Sequence, residues 1–157
     1  MMMTKHVTII ITKKDKRMVI ISKSPEETLA VGKRIGAKCK PGTVISLRGS
    51  LGAGKTVIAK GVAEALGITE AIVSPTFTLI QEYQGSKLRM YHMDLYRLSG
   101  TDEFEMIGGE EMLYGKAVTL IEWSEKIQEM LPKTTVYVNL DIKPDQDRVI
   151  TIEGMEL

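Results

Sequence analysis

The 157-residue sequence has one cysteine, Cys39, almost no net charge, and no apolar run near the roughly 20 residues that span a membrane. A single cysteine excludes an intrachain disulfide framework and a cysteine metal cluster, which favours a reducing, intracellular setting. The apolar run at 7–12 is too short for a signal-peptide core. With 21 basic against 20 acidic residues, the charge of +1 gives no electrostatic reason for free-standing binding to nucleic acid or membrane. We therefore expect a cytoplasmic protein that makes no membrane contact.

Length and residue pattern predict a single domain, residues 1–157, large enough to bury roughly 70% of its unfolded surface. Two β-branched segments, 7–12 and 17–22, predict a strand or hairpin that forms an extra N-terminal element within residues 1–21. Further strands are predicted at 43–47, 71–73, 77–83, 88–94, 117–122, 136–142 and 148–154. Helices are predicted at 25–40, 55–66, 101–106 and 124–131.

Two helix ends carry specific signals. Ser24 is the predicted N-cap of the first helix, Pro25 suits its first position, and Glu27 completes a capping box. Gly67 is the predicted C-terminal cap of the second helix. These local signals define where the helices begin and end more sharply than hydrophobic periodicity does.

The strongest motif is GSLGAGKT at residues 49–56, which matches G-x-x-x-x-G-K-[ST], the phosphate-binding P-loop. A polyphosphate is held by successive backbone N–H groups that point inward, and glycine tolerates the conformations that this requires. The buried strand before the motif and the amphipathic helix after it supply the required context. The motif predicts that a nucleotide is bound by Ser50, Leu51, Gly52, Ala53, Gly54, Lys55 and Thr56.

Within this loop, Lys55 would place its charge on the outer phosphates, and the Thr56 hydroxyl would face a bound Mg²⁺ ion. The predicted fold class is accordingly α/β: a P-loop NTPase-like mixed, mostly parallel sheet flanked by helices, with antiparallel hairpin elements. We find no internal repeat, low-complexity tract or linker.

Two carboxylates are candidates to complete the site. Asp94 ends the strand at 88–94, and Glu122 ends the strand at 117–122. Because strand ends of an α/β sheet open into the ligand crevice, either acid could support Mg²⁺ or position an attacking water. The sequence does not divide these two roles between them, and a solvated acid at a strand–loop junction is the alternative for each.

Three further positions lie near these acids. Ser74 and Thr76, in SPT, could reach the γ-phosphate or its metal as switch loops do, although a plain turn also explains them. His92 lies two residues before Asp94 and so shares its side of the strand; we expect a buried, hydrogen-bonded ring rather than a catalytic one. Trp123, directly after Glu122, could belong to the core, the site or a partner surface.

Taken in order, SPEET, LGAGKT, SPTFTLIQEY, HMDLYRL and LIEWSEK resemble the TsaE (YjeE) family, the small P-loop ATPases of bacterial tRNA threonylcarbamoyladenosine synthesis. The resemblance spans about residues 22–140. It implies binding of ATP and Mg²⁺, and hydrolysis of ATP within a complex with two partner proteins, TsaB and TsaD. Those partners transfer the threonylcarbamoyl group to tRNA, so contact with tRNA would be indirect.

The resemblance also implies roles for individual residues. Lys55, Asp94 and Glu122 would form the catalytic set, and Thr56, Asp94 and Glu122 would support Mg²⁺. Thr76 would be a switch-like contact to ATP, and Trp123 would be functionally coupled to Glu122.

The sequence departs from the family's pattern in two places. Ser50 stands where the family commonly has an acidic or amide residue, and residues 7–12 are additional. Neither departure touches the residues expected to carry the chemistry.

Two other functions fit a P-loop. A small-molecule kinase would need an acceptor pocket and an arginine-bearing lid, for which only the region 96–116, with Arg97 and Lys116, is available. A nucleotide-sensing interaction module would bind ATP without needing to hydrolyse it. A P-loop ATPase without an obvious arginine finger should hydrolyse ATP slowly alone and faster with its partners.

Overall fold

The computed structural model describes residues 8–12, 17–50, 52–75 and 78–157, with residues 8–12 described by their backbone. The described residues form eight strands: β1 Thr8–Thr12, β2 Arg17–Ser22, β3 Val44–Gly49, β4 Ile80–Tyr83, β5 Met90–Asp94, β6 Val118–Glu122, β7 Val136–Ile142 and β8 Arg148–Glu153. All eight belong to one sheet in the order β1-β2-β8-β7-β3-β6-β5-β4. The four central strands, β7, β3, β6 and β5, run parallel, and every outer pairing is antiparallel. The predicted mixed sheet with hairpin elements is therefore confirmed, with parallel pairing confined to its centre.

Helices cover both faces of the sheet. They are α1 Pro25–Lys38, α2 Lys55–Ala65, α3 Thr101–Met106, α4 Gly109–Leu113 and a 3₁₀ helix at Ser124–Met130. One buried cluster joins α1 and α2 to one face of the sheet, and a second joins α3, α4 and the 3₁₀ helix to the other. Central strands supply side chains to both clusters, since Leu120 of β6 lies in the first and Ile121 in the second. This two-sided burial explains the nearly continuous apolar sequence of the central strands.

Both predicted helix caps are confirmed. The Ser24 hydroxyl accepts a hydrogen bond from the Glu27 backbone N–H. The Glu27 carboxylate accepts one from the Lys23 N–H, the residue before the cap, rather than from the Ser24 N–H of the predicted capping box. Gly67 follows α2 with a φ of 81°, the left-handed conformation expected after a helix.

The backbones of α1 and α2 are in direct contact. A Cβ atom added to Gly61 would lie 2.5 Å from the Leu29 carbonyl oxygen, and one added to Gly32 would lie 2.6 Å from the Ile58 carbonyl oxygen. No side chain larger than hydrogen fits at this crossing without moving a helix. The crossing therefore fixes the N-terminus of α2 relative to that of α1.

Several sequence-based boundaries were wrong. Residues 71–73 form no strand; β4 begins only at Ile80, and the chain before it is irregular as far as it is described. The helix expected at 124–131 consists of 3₁₀ turns from Ser124 to Met130 with a kink at Ile127, whose φ of −130° is non-helical, and it follows Trp123 in a left-handed conformation. Helix α4 was not predicted, and the turn that joins β1 to β2 lies outside the described residues. Over those same described ranges, none of the helices is both long and apolar enough to cross a bilayer.

Candidate nucleotide site

The P-loop connects β3 to α2 at the centre of the sheet. Gly54 precedes α2 with a φ of 107°, a conformation that side chains other than glycine rarely adopt, and no side chain caps the helix. The first amides of α2 therefore point out of the helix with the positive end of its dipole. This arrangement suits an anion at the start of α2. Leu51, which the motif also assigned to the nucleotide, lies outside the described residues.

Three side chains from different elements meet beside the loop. The Lys55 ammonium nitrogen is 3.4 Å from Oε1 of Glu122, and the His92 Nε2 atom is 3.0 Å from Oε2 of the same carboxylate. His92 is 1% exposed and Glu122 is 8% exposed, so both are shielded from bulk water. The predicted burial of His92 is confirmed, and its hydrogen-bond partner is the acid at the end of the neighbouring strand.

The electrostatics of Glu122 reflect this enclosure. Burial alone would raise the pKa of Glu122, but the hydrogen bond and charge of His92, followed by the charge and hydrogen bond of Lys55, lower it further than burial raises it. The net pKa lies below the ordinary value for glutamate, so the carboxylate is ionised at neutral pH.

Asp94 lies next to Glu122. Strands β5 and β6 are parallel and in register, with Asp94 opposite Glu122 at their carboxyl ends. The Asp94 carboxylate is buried and accepts a hydrogen bond of 3.0 Å from the Tyr96 backbone N–H. The Asp94 N–H donates to the Leu79 carbonyl at 2.8 Å, which attaches β5 to the end of the segment that contains SPT. The two predicted acids thus lie beside Lys55 at the carboxyl ends of the central strands.

Three hydroxyl residues of the predicted site, Ser50, Thr56 and Ser74, are exposed. Thr56 is the second residue of α2 and is exposed, as is Ser50 in the loop before it. Ser74 is exposed in an irregular segment, whereas Pro75 is buried. Thr76 lies outside the described residues, so its role as a switch-like contact stays a prediction.

Two aromatic rings lie above the strand-end acids. Tyr96 follows Asp94 by two residues and Trp123 follows Glu122 directly; their ring centroids are 4.9 Å apart, and the planes are inclined by 56°. The side chains are 57% and 44% exposed. Trp123 also lines a cavity of about 440 Å³ whose wall includes Lys55 and Arg48. Trp123 is therefore not a core residue, and it lies at the rim of the site. A role for it at a partner surface stays a prediction.

Polar contacts fix the segment after Trp123 to the strand before the P-loop. The Ser46 and Ser124 hydroxyl oxygens are 2.6 Å apart, and both residues are fully buried. Arg48 forms an ion pair of 3.0 Å with Glu125 and donates to the Gln128 side chain at 2.9 Å. These bonds hold the 3₁₀ helix, and with it Trp123, against β3.

A second cavity lies on the other side of the loop and was missed from the sequence. It has a volume of about 200 Å³ and is bounded by the loop, the N-terminus of α1 and the start of β8. The Arg148 guanidinium lines it and donates to the Gly52 carbonyl at 3.2 Å. No local signal marked Arg148, because its position depends on β8 pairing between β2 and β7.

The two basic residues considered for a kinase lid do not meet. Lys116 precedes β6, at the end of that strand opposite to Glu122, and lines a cavity with Arg89 and Glu111 instead. Arg97 is exposed, three residues after Asp94. Arg97 and Lys116 therefore lie at opposite ends of the parallel strands β5 and β6, which gives no support for a basic lid formed by region 96–116.

Comparisons of the sequence and of the structure with known proteins both give clear matches. The sequence model of the family described as "Threonylcarbamoyl adenosine biosynthesis protein TsaE" matches residues 22–150. The tRNA threonylcarbamoyladenosine biosynthesis protein TsaE of Bacillus subtilis strain 168 is 47% identical over 132 residues, covering 84% of this chain and 82% of that protein. The protein of the same name from Treponema pallidum is 44% identical over 135 residues, covering 86% and 99%. The crystal structure of Bacillus subtilis YdiB superposes with a TM-score of 0.73 at 41% identity, covering 90% of this chain and 87% of that one.

Proposed function

This chain belongs to the TsaE family and so has a role in tRNA threonylcarbamoyladenosine biosynthesis, and from that premise we propose that it is a Mg²⁺-dependent ATPase acting with TsaB and TsaD in the cytoplasm. The observation that carries the proposal is the convergence of Lys55, Asp94 and Glu122 beside the uncapped N-terminus of α2. Contact with tRNA would be indirect, through the partner proteins.

In the proposed complex, the amides from Gly52 to Thr56 bind the phosphates of ATP. Lys55 moves from Glu122 to the outer phosphates, since a phosphate group carries more charge than one carboxylate. The cavity beside Arg148 lies across the loop from the acids, and we assign the ribose and base to it. The terminal phosphate then lies toward Asp94 and Glu122, where the chemistry would take place.

The residues present fit a magnesium ion. No group of three or more His, Cys, Asp or Glu side chains among the described residues could hold a metal alone. Magnesium in nucleotide sites needs only one or two protein ligands, because phosphate and water supply the rest. The Thr56 hydroxyl and the carboxylates of Asp94 and Glu122 are hard oxygen donors of the type it prefers. When bound, Mg²⁺ would neutralise charge on the phosphates.

Hydrolysis would need an ionised carboxylate close to the attacking water. Glu122 meets the first condition through its lowered pKa, and both acids meet the second by their place at the strand ends. We leave open which acid orients the water and which supports the metal. The exposed Tyr96–Trp123 pair next to both acids is the surface through which we propose that the partner proteins reach the site.

The proposal is tested by measuring ATP hydrolysis by the wild type and Lys55→Ala, each alone and with TsaB, TsaD and tRNA. We expect slow turnover by the wild type alone, faster turnover with the partners, and loss of both in Lys55→Ala. Lys33→Ala is the matched control, because Lys33 forms an exposed ion pair with Glu64 on the outer helices. Partner-independent turnover would contradict the partnership, and equal activity in Lys55→Ala would contradict the site.

A further inference from the structure

The bond between His92 and Glu122 is the basis for one further assignment. We propose that His92 is a positioning residue for hydrolysis: its Nε2–H holds Oε2 of Glu122, so that Oε1 is directed to the phosphate side of the site. The assignment rests on the proposed ATPase function and adds to it a residue outside the P-loop and the two strand-end acids. The 3.0 Å contact and the burial of the ring are the observations from which it starts.

The direction of the hydrogen bond follows from the surroundings of Glu122. A carboxylate 3.4 Å from the Lys55 ammonium is ionised and can only accept hydrogen bonds. His92 Nε2 must therefore carry the proton and donate it. The other ring nitrogen, Nδ1, is buried and has no hydrogen-bond partner among the described residues.

That unpartnered nitrogen is informative. A buried polar atom without a partner is destabilising, and an apolar side chain of similar size would avoid that cost. A ring that served packing alone would gain nothing from the nitrogen atoms. The contact that the polar ring makes in return is the one to Glu122.

The sheet places the two residues so that this contact restrains Glu122. On β5, His92 lies on the same face of the sheet as Asp94. Its neighbour on β6 is Leu120, which shares that face with Glu122. The His92 side chain therefore extends from β5 to β6 and contacts the carboxylate of Glu122, which lies two residues beyond Leu120. Glutamate has several rotatable bonds, and fixing one oxygen before the reaction removes much of that freedom.

The two carboxylate oxygens of Glu122 therefore have different partners. Oε2 is bound by His92, and Oε1 is bound by Lys55. When Lys55 moves to the phosphates, Oε1 is released while Oε2 stays held. Glu122 then presents one fixed acceptor to the phosphate side and does not rotate away.

The test compares His92→Met with His92→Gln in the presence of the partner proteins. Methionine fills similar space without an N–H donor, whereas glutamine keeps one at about the same reach. We expect His92→Met to lower kcat about 10–100-fold, the usual cost of losing a group that orients a functional side chain. The KM for ATP and the ADP affinity measured by calorimetry should stay close to wild type, and His92→Gln should recover most of kcat.

Thr119→Val is the matched control. Thr119 is a buried polar residue of β6 whose hydroxyl also has no partner among the described residues, and it lies on the opposite face of the sheet from Glu122. The substitution removes a buried polar atom from the same strand without touching Glu122, and kcat should not change.

A second readout does not depend on activity or on the variants folding. Nitrogen-15 NMR of wild-type histidine should show His92 protonated at Nε2. Protonation at Nδ1 instead would overturn the assignment, as would a His92→Met enzyme as fast as Thr119→Val, or a His92→Gln enzyme as slow as His92→Met. A wild type that does not hydrolyse ATP with its partners would overturn the proposed function instead, and the NMR result would still decide the bond.

Discussion

The Lys55 ammonium lies 3.4 Å from Oε1 of Glu122, so the cation of the P-loop and the acid at the end of β6 form one ion pair. The pair is largely shielded, with the lysine side chain 18% and the glutamate side chain 10% exposed. A phosphate that binds to Lys55 must therefore compete with Glu122 for it. This competition leads to the first prediction.

Replacing Glu122 by glutamine should strengthen ADP binding in the absence of Mg²⁺. The neutral amide no longer holds Lys55, and an ion pair of this kind contributes about 0.5–1 kcal/mol, which corresponds to about two- to fivefold in affinity. Calorimetry with ADP and a chelator measures the change. Glu125→Gln is the control, because it removes the same charge from the ion pair with Arg48. Weaker ADP binding by Glu122→Gln would contradict the competition.

The lowered pKa of Glu122 predicts how stability depends on pH. Because the folded carboxylate is more acidic than the unfolded one, its ionic contacts stabilise the fold above the ordinary pKa of glutamate, about 4.3. That stabilisation is lost as the pH falls through the lower, folded-state pKa. In urea unfolding, the free-energy difference between wild type and Glu122→Gln should therefore shrink on acidification. A difference that stays constant over this range would contradict the linkage.

Arg148→Ala tests the assignment of the second cavity. The guanidinium lines that cavity and bonds to the Gly52 carbonyl, so its loss should weaken ADP binding about two- to tenfold, as expected for one hydrogen bond of ordinary net strength. Pyrophosphate, which has no ribose or base, should bind Arg148→Ala nearly as well as it binds the wild type. Equal weakening of both ligands would mean that Arg148 acts by holding the loop. Arg89→Ala, which breaks an exposed ion pair with Glu82, is the control.

Cys39 should be inert in the folded protein. Burial raises the pKa of its thiol to about 12, and the sulfur donates a 3.4 Å hydrogen bond to the Ile35 carbonyl. Since the thiolate is the reactive form, iodoacetamide at neutral pH should label Cys39 far more slowly in the folded protein than in urea, as measured by mass spectrometry. Equally fast labelling in both would disprove the burial.

The same shift makes the contribution of Cys39 to stability depend on pH. The unfolded thiol ionises near its ordinary value of 9.0, whereas the folded thiol keeps its proton to about 12. The stabilisation from this partly buried thiol is therefore complete below the first value and is lost as the pH rises between the two. Cys39→Ala should remove this part of the alkaline dependence.

Features written into short stretches of sequence could be predicted. The P-loop is one such feature, because strand, glycine turn and helix follow each other directly. The caps at Ser24 and Gly67 are others. The alternation of side chains along a strand also placed His92 on the same face as Asp94.

Features that depend on strand order could not be predicted. The bond from His92 to Glu122 joins residues 30 apart, and the bond from Arg148 to Gly52 joins residues 96 apart. Both bonds depend on which strands pair and in what register. The order of the strands in the sheet differs from their order along the chain. Lys116 was grouped with Arg97 for the same reason, since the sequence does not show that it lies at the opposite end of the central strands from the P-loop. Residues 71–73 failed as a strand because β-branched residues alone do not supply a neighbouring strand to pair with.

The glycine crossing of α1 and α2 has a mechanical consequence. Since the two backbones touch at Gly32 and Gly61, the helices cannot slide past each other without a clash. The N-termini of the two helices bound the cavity beside Arg148 and the phosphate loop. We therefore expect this half of the molecule to stay rigid whichever ligand is bound. We expect a change of ligand state to move the exposed rings of Tyr96 and Trp123, which are not part of this crossing, more than it moves α1 and α2.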